Sequence, residues 1–475
     1  MSVRVRFAPS PTGYLHIGGA RTALYSYLFA RGHGGKYILR IEDTDLERSK
    51  REFEEVQIED LNWLGITHDE GPDVGGDFGP YRQSERTQMY IDIAWQLVKE
   101  GKAYPCFLTS TELEELAAKA ESEKIAPHTY HTKYRDLDPT EAKKKIDAGE
   151  EYVIRFKNPG KTWTFKDLVR GEVTFPVDMV GDWVIIRSNG MPVYNYCCVI
   201  DDWKMEMTHV MRAEEHLNNT CRQLMLYEAL GAKVPEFAHV SLLVGEDRQK
   251  LSKRHGATSV KQYRDENYLP DAINNYLCLL GWSHPEEKDI FDVRALGETF
   301  SMNRFSKSPA LYDIQKLNFF NSHYLRALTG NDLVTHIEKS IHASSPFHKQ
   351  TAQWKTTCCE LIKEKIQLAS EANTFMPLFF EKTPSEADDQ LKEALAWETT
   401  PAIREYLKSE LSKATGEYLS VDTVNAWMDH IKKELKIKGK PLFMGTRAVL
   451  TGQCHGPDLQ ILVSLTPIEL LRQRV

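Results

Sequence analysis

The chain has 475 residues, of which 41% are hydrophobic and 27% charged, and its formal net charge is −8. This composition is ordinary for a globular protein, and the length predicts about three domains rather than one core. The negative charge argues against a protein that coats nucleic acid, although local basic patches can still hold an RNA. No apolar run is long enough to cross a bilayer, so no membrane partner is expected. The first strand directly follows Met1 without a signal-like or Arg-rich leader, which predicts a cytoplasmic protein.

The N-terminal residues predict a strand, a loop and a helix. Val5 and Phe7 alternate with arginines, as in a half-buried strand. A Pro-Ser-Pro-Thr-Gly loop follows, and apolar residues from Ala20 to Leu28 then recur at helical spacing until glycines end the helix. The start of such a helix offers free N–H groups and a positive dipole end to a phosphate, and His16 stands there. Taken alone, a histidine at this place is more often a helix cap or a surface residue.

Polar side chains follow several predicted strands. Residues 238–244 predict a strand, and the segment after it, 245–256, is basic and bounded by glycines, with Lys250 and Lys253 suited to a polyphosphate. Glu42 ends the predicted strand at 36–42, and Arg212 follows the one at 208–211. Ligands of open parallel sheets bind beyond the carboxyl ends of the strands. We therefore expect these groups and the Ser10 loop at one site, although each singly is more often a surface ion pair.

Five motifs carry a resemblance to a known family. His16-Ile-Gly-Gly19 and Lys250-Leu-Ser-Lys-Arg254 resemble the two nucleotide-binding motifs of class I aminoacyl-tRNA synthetases. The match is narrowed to bacterial-type glutamyl-tRNA synthetase by Arg6-Phe-Ala-Pro-Ser-Pro-Thr-Gly13, Arg40-Ile-Glu-Asp-Thr-Asp45 and Arg212-Ala-Glu-Glu215. The resemblance covers the catalytic region to residue 325 and extends more loosely to the end of the chain.

The resemblance implies a Rossmann-type parallel nucleotide-binding domain with an inserted α+β domain, followed by an all-α anticodon-binding region. The catalytic domain is expected in two halves, residues 1–85 and 193–245. The inserted domain, 86–192, is expected to grip the tRNA acceptor end. Residues 246–325 would form a connecting domain that contacts the tRNA stem and carries the Lys250 loop, and residues 326–475 the anticodon-binding region.

The residue pattern supports this order of elements. Within the proposed insertion a helical stretch at 111–119 precedes β-rich runs at 152–156, 163–165, 172–175 and 183–187, and Asn189-Gly190 predicts a hairpin turn. Helices are predicted at 268–282 and 308–320. Beyond residue 325 the helical periodicity continues without strands, through 361–369, 402–411 and 424–435.

The reaction implied by the resemblance is activation of glutamate by ATP and transfer of the glutamyl group to the 3′ end of tRNA(Glu). A carboxylate is already a nucleophile at pH 7, so catalysis needs alignment and charge stabilisation rather than a general base. The expected catalytic residues are His16, Lys250 and Lys253. Mg²⁺ is expected to enter with ATP. The ATP-binding set also includes Gly18, Gly19, Glu215, Leu251, Ser252 and Arg254.

The amino-acid pocket is expected to recognise an acidic side chain. Arg6 and Arg212 offer planar forks to a carboxylate, which suits an acid better than an amide. By resemblance Glu42 holds the α-ammonium group of glutamate. The matching positions also assign to this pocket Ala8, Ser10, Tyr194 and Cys198, the last of which stands where the family leads us to expect a polar residue.

A basic stretch near the C-terminus is the candidate tRNA contact. Its side chains are opposed only by Glu434, and contact with phosphates is as compatible with the pattern as a solvated helix face. Asp45 is also assigned to tRNA. No feature of the sequence indicates an obligate dimer, so we expect a monomer. The basic residues are Lys432, Lys433, Lys436, Lys438, Lys440 and Arg447.

The eight cysteines are scattered without a C-x-x-C spacing, which predicts buried neutral thiols rather than disulfides. Many family members hold a structural zinc in the segment corresponding to residues 104–137. Here Cys106 is followed by Leu108, and Tyr134 and Asp136 stand where the second ligand pair would fall. One thiol and two nearby loop histidines make a poor tetrahedral set, so no structural zinc is expected.

Four other functions share part of this pattern. A glutaminyl-tRNA synthetase would differ around Arg6, Glu42 and Arg212. A queuosine-modifying glutamyl transferase lacks the helical C-terminal region, and a small-molecule nucleotidyltransferase needs neither this region nor the insertion. A non-catalytic paralogue that only binds tRNA would have no use for both pocket arginines.

Overall fold

The computed structural model describes residues 2–177, 179–252, 258–382 and 389–475. The chain forms two compact units, which we name the first unit (residues 1–262 and 274–313) and the second unit (residues 263–273 and 314–475). No helix of the described residues is long and apolar enough to span a membrane.

The strands alternate with helices through the first unit. The strands are β1 (Arg4–Phe7), β2 (Lys36–Leu39), β3 (Ala103–Cys106), β4 (Val153–Phe156), β5 (Trp163–Asp167), β6 (Gly171–Phe175), β7 (Trp183–Ile186), β8 (His209–Ala213), β9 (Glu236–Val240), β10 (Leu243–Val244) and β11 (Ala310–Leu311). The helices up to residue 279 are α1 (Ile17–Gly32), α2 (Arg51–Trp63), α3 (Thr87–Lys99), α4 (Ser110–Glu123), α5 (Pro139–Asp147), α6 (Tyr194–Lys204), α7 (Asn219–Leu230), α8 (Val260–Asp265) and α9 (Pro270–Leu279).

A six-stranded sheet, in the order β2-β1-β8-β9-β5-β6, organises the first unit. All neighbours pair in parallel except the β5–β6 hairpin. Val5 and Phe7 are buried as their alternation predicts, but Arg6 on the opposite face is buried too, at 4% exposure. The strand is therefore covered on both faces rather than half-buried, as is usual in a parallel sheet flanked by helices. The Rossmann-type sheet predicted for the catalytic region is confirmed.

The predicted strand at 238–244 is divided into β9 and β10. The chain leaves the main sheet after Val240, and Leu243 then pairs with Ala310 of β11. This pairing also corrects the helix predicted at 308–320, since the backbone at Ala310 and Tyr312 donates to the β9–β10 segment, and the helix begins only at Ile314. Helical periodicity alone does not reveal a two-residue strand that depends on a distant partner.

The β-rich runs predicted inside the insertion form two different sheets. β3, β4 and β7 make a separate antiparallel sheet, while the β5–β6 hairpin joins the main sheet, where Asp167 pairs with Phe237. The turn predicted at Asn189-Gly190 is present, with Gly190 at φ +80° and a bridge between Ile186 and Pro192. The domain boundaries drawn from the sequence remain predictions.

The described residues of the second unit are helical, as predicted for the C-terminal region. Two apolar clusters form its core, one around Trp354 and Phe379 and the other around Leu407 and Trp427. The stretch predicted at 361–369 is not one helix, because α12 ends at Ile362 and two short 3₁₀ turns follow. The helices are α10 (Ile314–Ala327), α11 (Gly330–Glu338), α12 (Ala352–Ile362), α13 (Met376–Phe380), α14 (Asp389–Leu395), α15 (Thr400–Lys413), α16 (Val421–Lys433), a π-helical turn (Pro441–Gly445), α17 (Thr446–Thr451), α18 (Leu459–Ser464) and α19 (Ile468–Arg474).

All eight cysteines are free and buried, as the sequence predicts. Burial raises the pKa of Cys198 and of Cys359 to about 12, so both thiols are neutral at pH 7. Among the residues that the structure describes, no group of three or more His, Cys, Asp or Glu side chains is placed to hold a metal ion.

Candidate active site

A cavity of about 850 Å³ opens in the first unit at the carboxyl ends of β1 and β8 and at the N-terminus of α1. The structure thus brings together residues that lie far apart in the sequence, at the edge of the sheet where ligands of parallel sheets bind. The predicted residues that line it are Arg6, Ala8, Ser10, His16, Gly18, Gly19, Glu42, Asp45, Tyr194, Arg212, Glu215, Lys250, Leu251 and Ser252.

His16 is both the cap of α1 and a wall of the cavity. Its Nδ1 accepts a hydrogen bond from the Gly18 backbone N–H at 3.0 Å, which leaves the ring hydrogen on Nε2. Partial desolvation of the ring, together with the charge of Lys250, lowers the pKa of His16 despite the opposing Glu215. The ring is therefore neutral at pH 7 and keeps one N–H donor that the cap does not use.

The Lys250 segment continues from β10 as a tight turn. The backbone at Val244 bridges that at Lys250, and Leu251 N–H donates to Leu243 O at 2.9 Å. The Lys250 ammonium group forms an ion pair with Glu215. Ser259, five residues after the end of the second predicted nucleotide motif, forms a backbone bridge with His16 of the first. Lys253 and Arg254 lie outside the described residues.

Arg6 is held by a buried carboxylate. Its Nε and Nη2 donate to Asp202 at 3.0 and 3.2 Å, and Arg40 Nη1 donates to the same carboxylate at 2.6 Å. Burial would raise the pKa of Asp202, but the two guanidinium groups outweigh it and lower the pKa to about 2. Cys198 does not line the cavity; its Sγ lies 3.7 Å from Arg6 Nη2, against the Arg6–Asp202 pair.

Arg212 has a different environment, in which its hydrogen-bond partners are neutral. Nε donates to His239 Nε2 at 3.0 Å, and Nη2 donates to Thr220 Oγ1 at 2.9 Å and Gln223 Oε1 at 2.7 Å. The guanidinium carbon lies 5.3 Å from the ring centre of Phe237. The side chain is 5% exposed, and its buried Nη1 has no hydrogen-bond partner among the described residues. A buried donor without a partner is costly, so this group is poised for a ligand.

Glu42 is a buried acceptor in the cavity wall. Its Oε1 accepts from Arg40 Nη2 at 3.2 Å. Burial raises the pKa of Glu42, although Arg40 and Arg6 oppose the shift. A cationic ligand group placed beside it would favour the ionised form.

A buried polar layer behind Arg6 and Glu42 was missed by sequence reasoning. Asp201 accepts from Arg86 Nε at 2.7 Å, Gln83 Nε2 at 2.8 Å and the Tyr90 hydroxyl at 2.8 Å, all of them buried. The available signal was the Asp201-Asp202 pair inside an otherwise apolar helical turn of α6. Asp167 and His239, beside Arg212, were missed as well, because His239 reads in the sequence as an ordinary residue of a β-run and Asp167 lies just beyond the run predicted at 163–165.

The residues assigned to tRNA lie in both units. In the first unit Asp45 lines the cavity and pairs with Arg48 at 2.7 Å. In the second unit the lysines between 432 and 440 are exposed around the end of α16, and Lys433 pairs with Asp429 at 2.9 Å. Arg447 lines a separate cavity of about 360 Å³ with Phe443.

Two family descriptions match the chain. The catalytic domain of class I tRNA synthetases for E and Q, which are glutamate and glutamine, matches residues 2–319, and an anticodon-binding domain matches residues 332–475. The chain belongs to the class I aminoacyl-tRNA synthetases. The family inferred from the motifs is thereby confirmed, and so is the helical anticodon-binding region that a queuosine-modifying transferase or a small nucleotidyltransferase would lack.

Relatives of this synthetase extend over its whole length. A glutamate–tRNA ligase of Carboxydothermus hydrogenoformans is 45% identical, with 99% of this chain and 98% of that protein aligned. Glutamate–tRNA ligase 1 of Fervidobacterium nodosum is also 45% identical, over 96% of this chain and 95% of the relative. A crystal structure of a glutamate tRNA ligase from Elizabethkingia meningosepticum, in complex with its amino acid, superposes with a TM-score of 0.89 at 33% identity, covering 100% of this chain and 98% of the other.

Proposed function

We propose that this synthetase is a glutamate–tRNA ligase, which condenses glutamate with ATP to glutamyl-adenylate and transfers the glutamyl group to the 3′ end of tRNA(Glu). The observation that carries the specificity is Arg212. Arg212 lines the cavity, its buried Nη1 has no hydrogen-bond partner among the residues that the structure describes, and the groups that hold the guanidinium group in place are neutral. A carboxylate supplies both the missing acceptor and the missing charge, whereas an amide supplies only the acceptor.

The other end of glutamate fits the opposite wall. Glu42 follows β2, which β1 separates from β8 in the sheet, and this acidic group lines the same cavity and suits the α-ammonium group. Ala8, Ser10 and Tyr194 line the space between, and Arg6 adds a second guanidinium group. The charge of Arg6 is already compensated by Asp202, so we assign to Arg6 a role in shape and hydrogen bonding and to Arg212 the choice of an acid.

The phosphate side of the cavity supports in-line transfer. An oxygen of the α-carboxylate forms a bond to the α-phosphorus of ATP, the bond to the bridging oxygen breaks, and pyrophosphate leaves without proton transfer. The Nε2–H of His16 and the start of α1, including Gly18 and Gly19, would stabilise charge on the phosphate oxygens. Lys250 would leave its ion pair with Glu215 and bind the pyrophosphate instead. We assign Lys253 and Arg254 to the same task from their motif, with Leu251 and Ser252 at the cavity edge and Mg²⁺ arriving with ATP.

The second unit would bind the anticodon arm of tRNA. The exposed lysines 432, 433, 436 and 438 form a cationic surface. Arg447 lines the smaller cavity, and its buried Nη1 has no partner in the part of the chain that the structure describes. Asp45 would contact the acceptor end. We expect the synthetase to be a cytoplasmic monomer, which sedimentation of the purified chain can check.

Charging of separate purified tRNAs tests the proposal. We expect radiolabelled glutamate to be joined to tRNA(Glu) in the presence of ATP and Mg²⁺, and glutamine to be rejected. Glutamate on tRNA(Gln) as well would mean a relaxed enzyme. Charging with glutamine alone would favour a glutaminyl enzyme, and tRNA binding without charging would favour a non-catalytic paralogue.

A further inference from the structure

A buried chain of hydrogen bonds leads from Asp167 through His239 to Arg212. Asp167 is the last residue of β5, and His239 of β9 is paired in register with Arg212 of β8. His239 Nδ1 lies 2.6 Å from Asp167 Oδ2, and Arg212 Nε lies 3.0 Å from His239 Nε2. Exposure of these residues is 1% for Asp167 and 0% for His239, so water does not compete for the bonds.

The direction of both hydrogen bonds is fixed by the groups around them. Oδ1 of Asp167 accepts the backbone N–H of Val169 at 2.9 Å and of Arg170 at 2.8 Å. Burial would raise the pKa of Asp167, but the bonds from His239 and the backbone outweigh it and lower the pKa, so the carboxyl group is ionised. It can only accept, and therefore Nδ1 of His239 carries the hydrogen.

The ring of His239 is consequently a neutral acceptor for Arg212. Burial lowers its pKa to about 4, against the opposing influence of Asp167. With the hydrogen on Nδ1, the lone pair of Nε2 faces the Nε–H of Arg212. Thr220 and Gln223 accept from Nη2, so neutral partners fix three N–H groups of Arg212, while Nη1 is left without a partner among the described residues of this cavity wall.

We infer that Asp167 and His239 are specificity-determining positioning residues for the glutamate side chain: they orient the guanidinium group of Arg212 and leave its charge uncompensated. Asp167 fixes the tautomer of His239 but lies on the opposite side of the imidazole ring from Arg212. In the described part of the chain, Arg212 therefore has a hydrogen-bond acceptor in His239 without a carboxylate in direct contact. Arg6, which pairs directly with Asp202, shows the alternative arrangement within the same site. The inference rests on the proposed function, because it requires Arg212 to bind the side chain of the amino acid.

Two substitutions of His239 separate its two hydrogen bonds. In His239→Asn the amide can still donate to Asp167, but no acceptor reaches Arg212. In His239→Gln the longer side chain can place an acceptor near the position of Nε2, at the cost of the bond to Asp167. We expect His239→Asn to raise the KM for glutamate on the order of tenfold, with the KM for ATP unchanged, and His239→Gln to recover part of this loss.

Asp167→Asn tests the control of the tautomer. The backbone N–H groups of Val169 and Arg170 keep the oxygen of the new amide, so its NH₂ group faces Nδ1 and drives the ring hydrogen to Nε2, against the Nε–H of Arg212. We expect the ¹⁵N NMR signals of the ring to report the other tautomer. The ratio of glutamate to glutamine activation should fall, in charging assays with tRNA(Glu).

The controls separate this inference from the proposed function. His209→Asn changes a histidine at the opposite end of β8 and should leave the KM for glutamate unchanged. If Arg212→Gln alters glutamate KM and discrimination but the His239 and Asp167 variants do not, the inference is overturned and the function stands. An equal rise in both substrate KM values would reduce the pair to a structural role and overturn it too. If Arg212→Gln itself has no effect, the proposed role of Arg212 is wrong; should His239→Asn not fold, His239→Gln and Asp167→Asn still decide.

Discussion

If Glu42 binds the α-ammonium group as proposed, its raised pKa should make glutamate binding depend on pH. Because burial raises its pKa, lowering the pH protonates Glu42 before it protonates the side chain of free glutamate, whose pKa is about 4.3. We expect the affinity for glutamate, measured by calorimetry, to weaken by up to about tenfold per pH unit below the pKa of Glu42. His216 and His239, with pKa values of about 4, do not titrate between pH 5 and 8. The variant Glu42→Gln should bind more weakly and without this slope; an equal slope in the variant would assign the proton elsewhere.

Asp202 supports two buried arginines, and its loss should destabilise the first unit. Asp202→Asn leaves Arg6 and Arg40 without their shared counterion, which typically costs about 3–5 kcal/mol in a buried pair. We expect a clear fall in the thermal midpoint. Asp147→Asn removes the exposed partner of Lys143 and serves as the matched control with no measurable change. Equal midpoints in the two variants would contradict a stabilising role of Asp202.

The sequence predicted the side chains that line the cavity better than it predicted the side chains that support them. Arg6, Glu42 and Arg212 were placed by their motifs and by the ends of strands. Asp202 and His239 were missed because a supporting role depends on a contact between distant strands or helices, and no local pattern records it. The position of Cys198 against Arg6 is of the same kind.

His16 caps helix α1 and is also proposed to bind phosphate, and substitution can separate the two roles. Asparagine is a good N-cap but its side chain is too short to replace the Nε2–H of His16, whereas alanine loses both. We expect His16→Asn and His16→Ala to slow adenylate formation on the order of a hundredfold. His16→Ala should in addition lose about 1 kcal/mol of stability relative to His16→Asn. Equal rates for the wild type and His16→Asn would limit His16 to its role as a cap.

The longer elements were predicted well, and those that depend on distant partners were not. Helices α4, α15 and α16 follow the apolar spacing of their own residues. Strands β10 and β11 form by pairing with each other, Leu243 with Ala310. Hairpin β5–β6 joins the main sheet through one residue pair, Asp167 with Phe237. Periodicity indicates that a segment forms a strand but not which sheet it joins.

The cationic surface of the second unit should make tRNA binding sensitive to salt. If the lysines at 432, 433 and 436 contact phosphates, changing all three to glutamine should reduce the slope of log affinity against log salt concentration by about 2–3. The matched control changes Lys392, Lys408 and Lys413, exposed lysines of α14 and α15. A slope equal to that of the wild type would leave the three lysines as a solvated face.

Because every cysteine is buried, the reaction of its thiol with a reagent measures local opening of the structure around it. The native protein presents none of them to solvent, so a thiol reagent can react only after the surrounding structure has parted. Cys198 and Cys358 belong to different units. The rate at which each thiol is modified therefore reports how often its own unit opens. Glutamate bound against Arg6 should slow the modification of Cys198 and leave the modification rate of Cys358 unchanged.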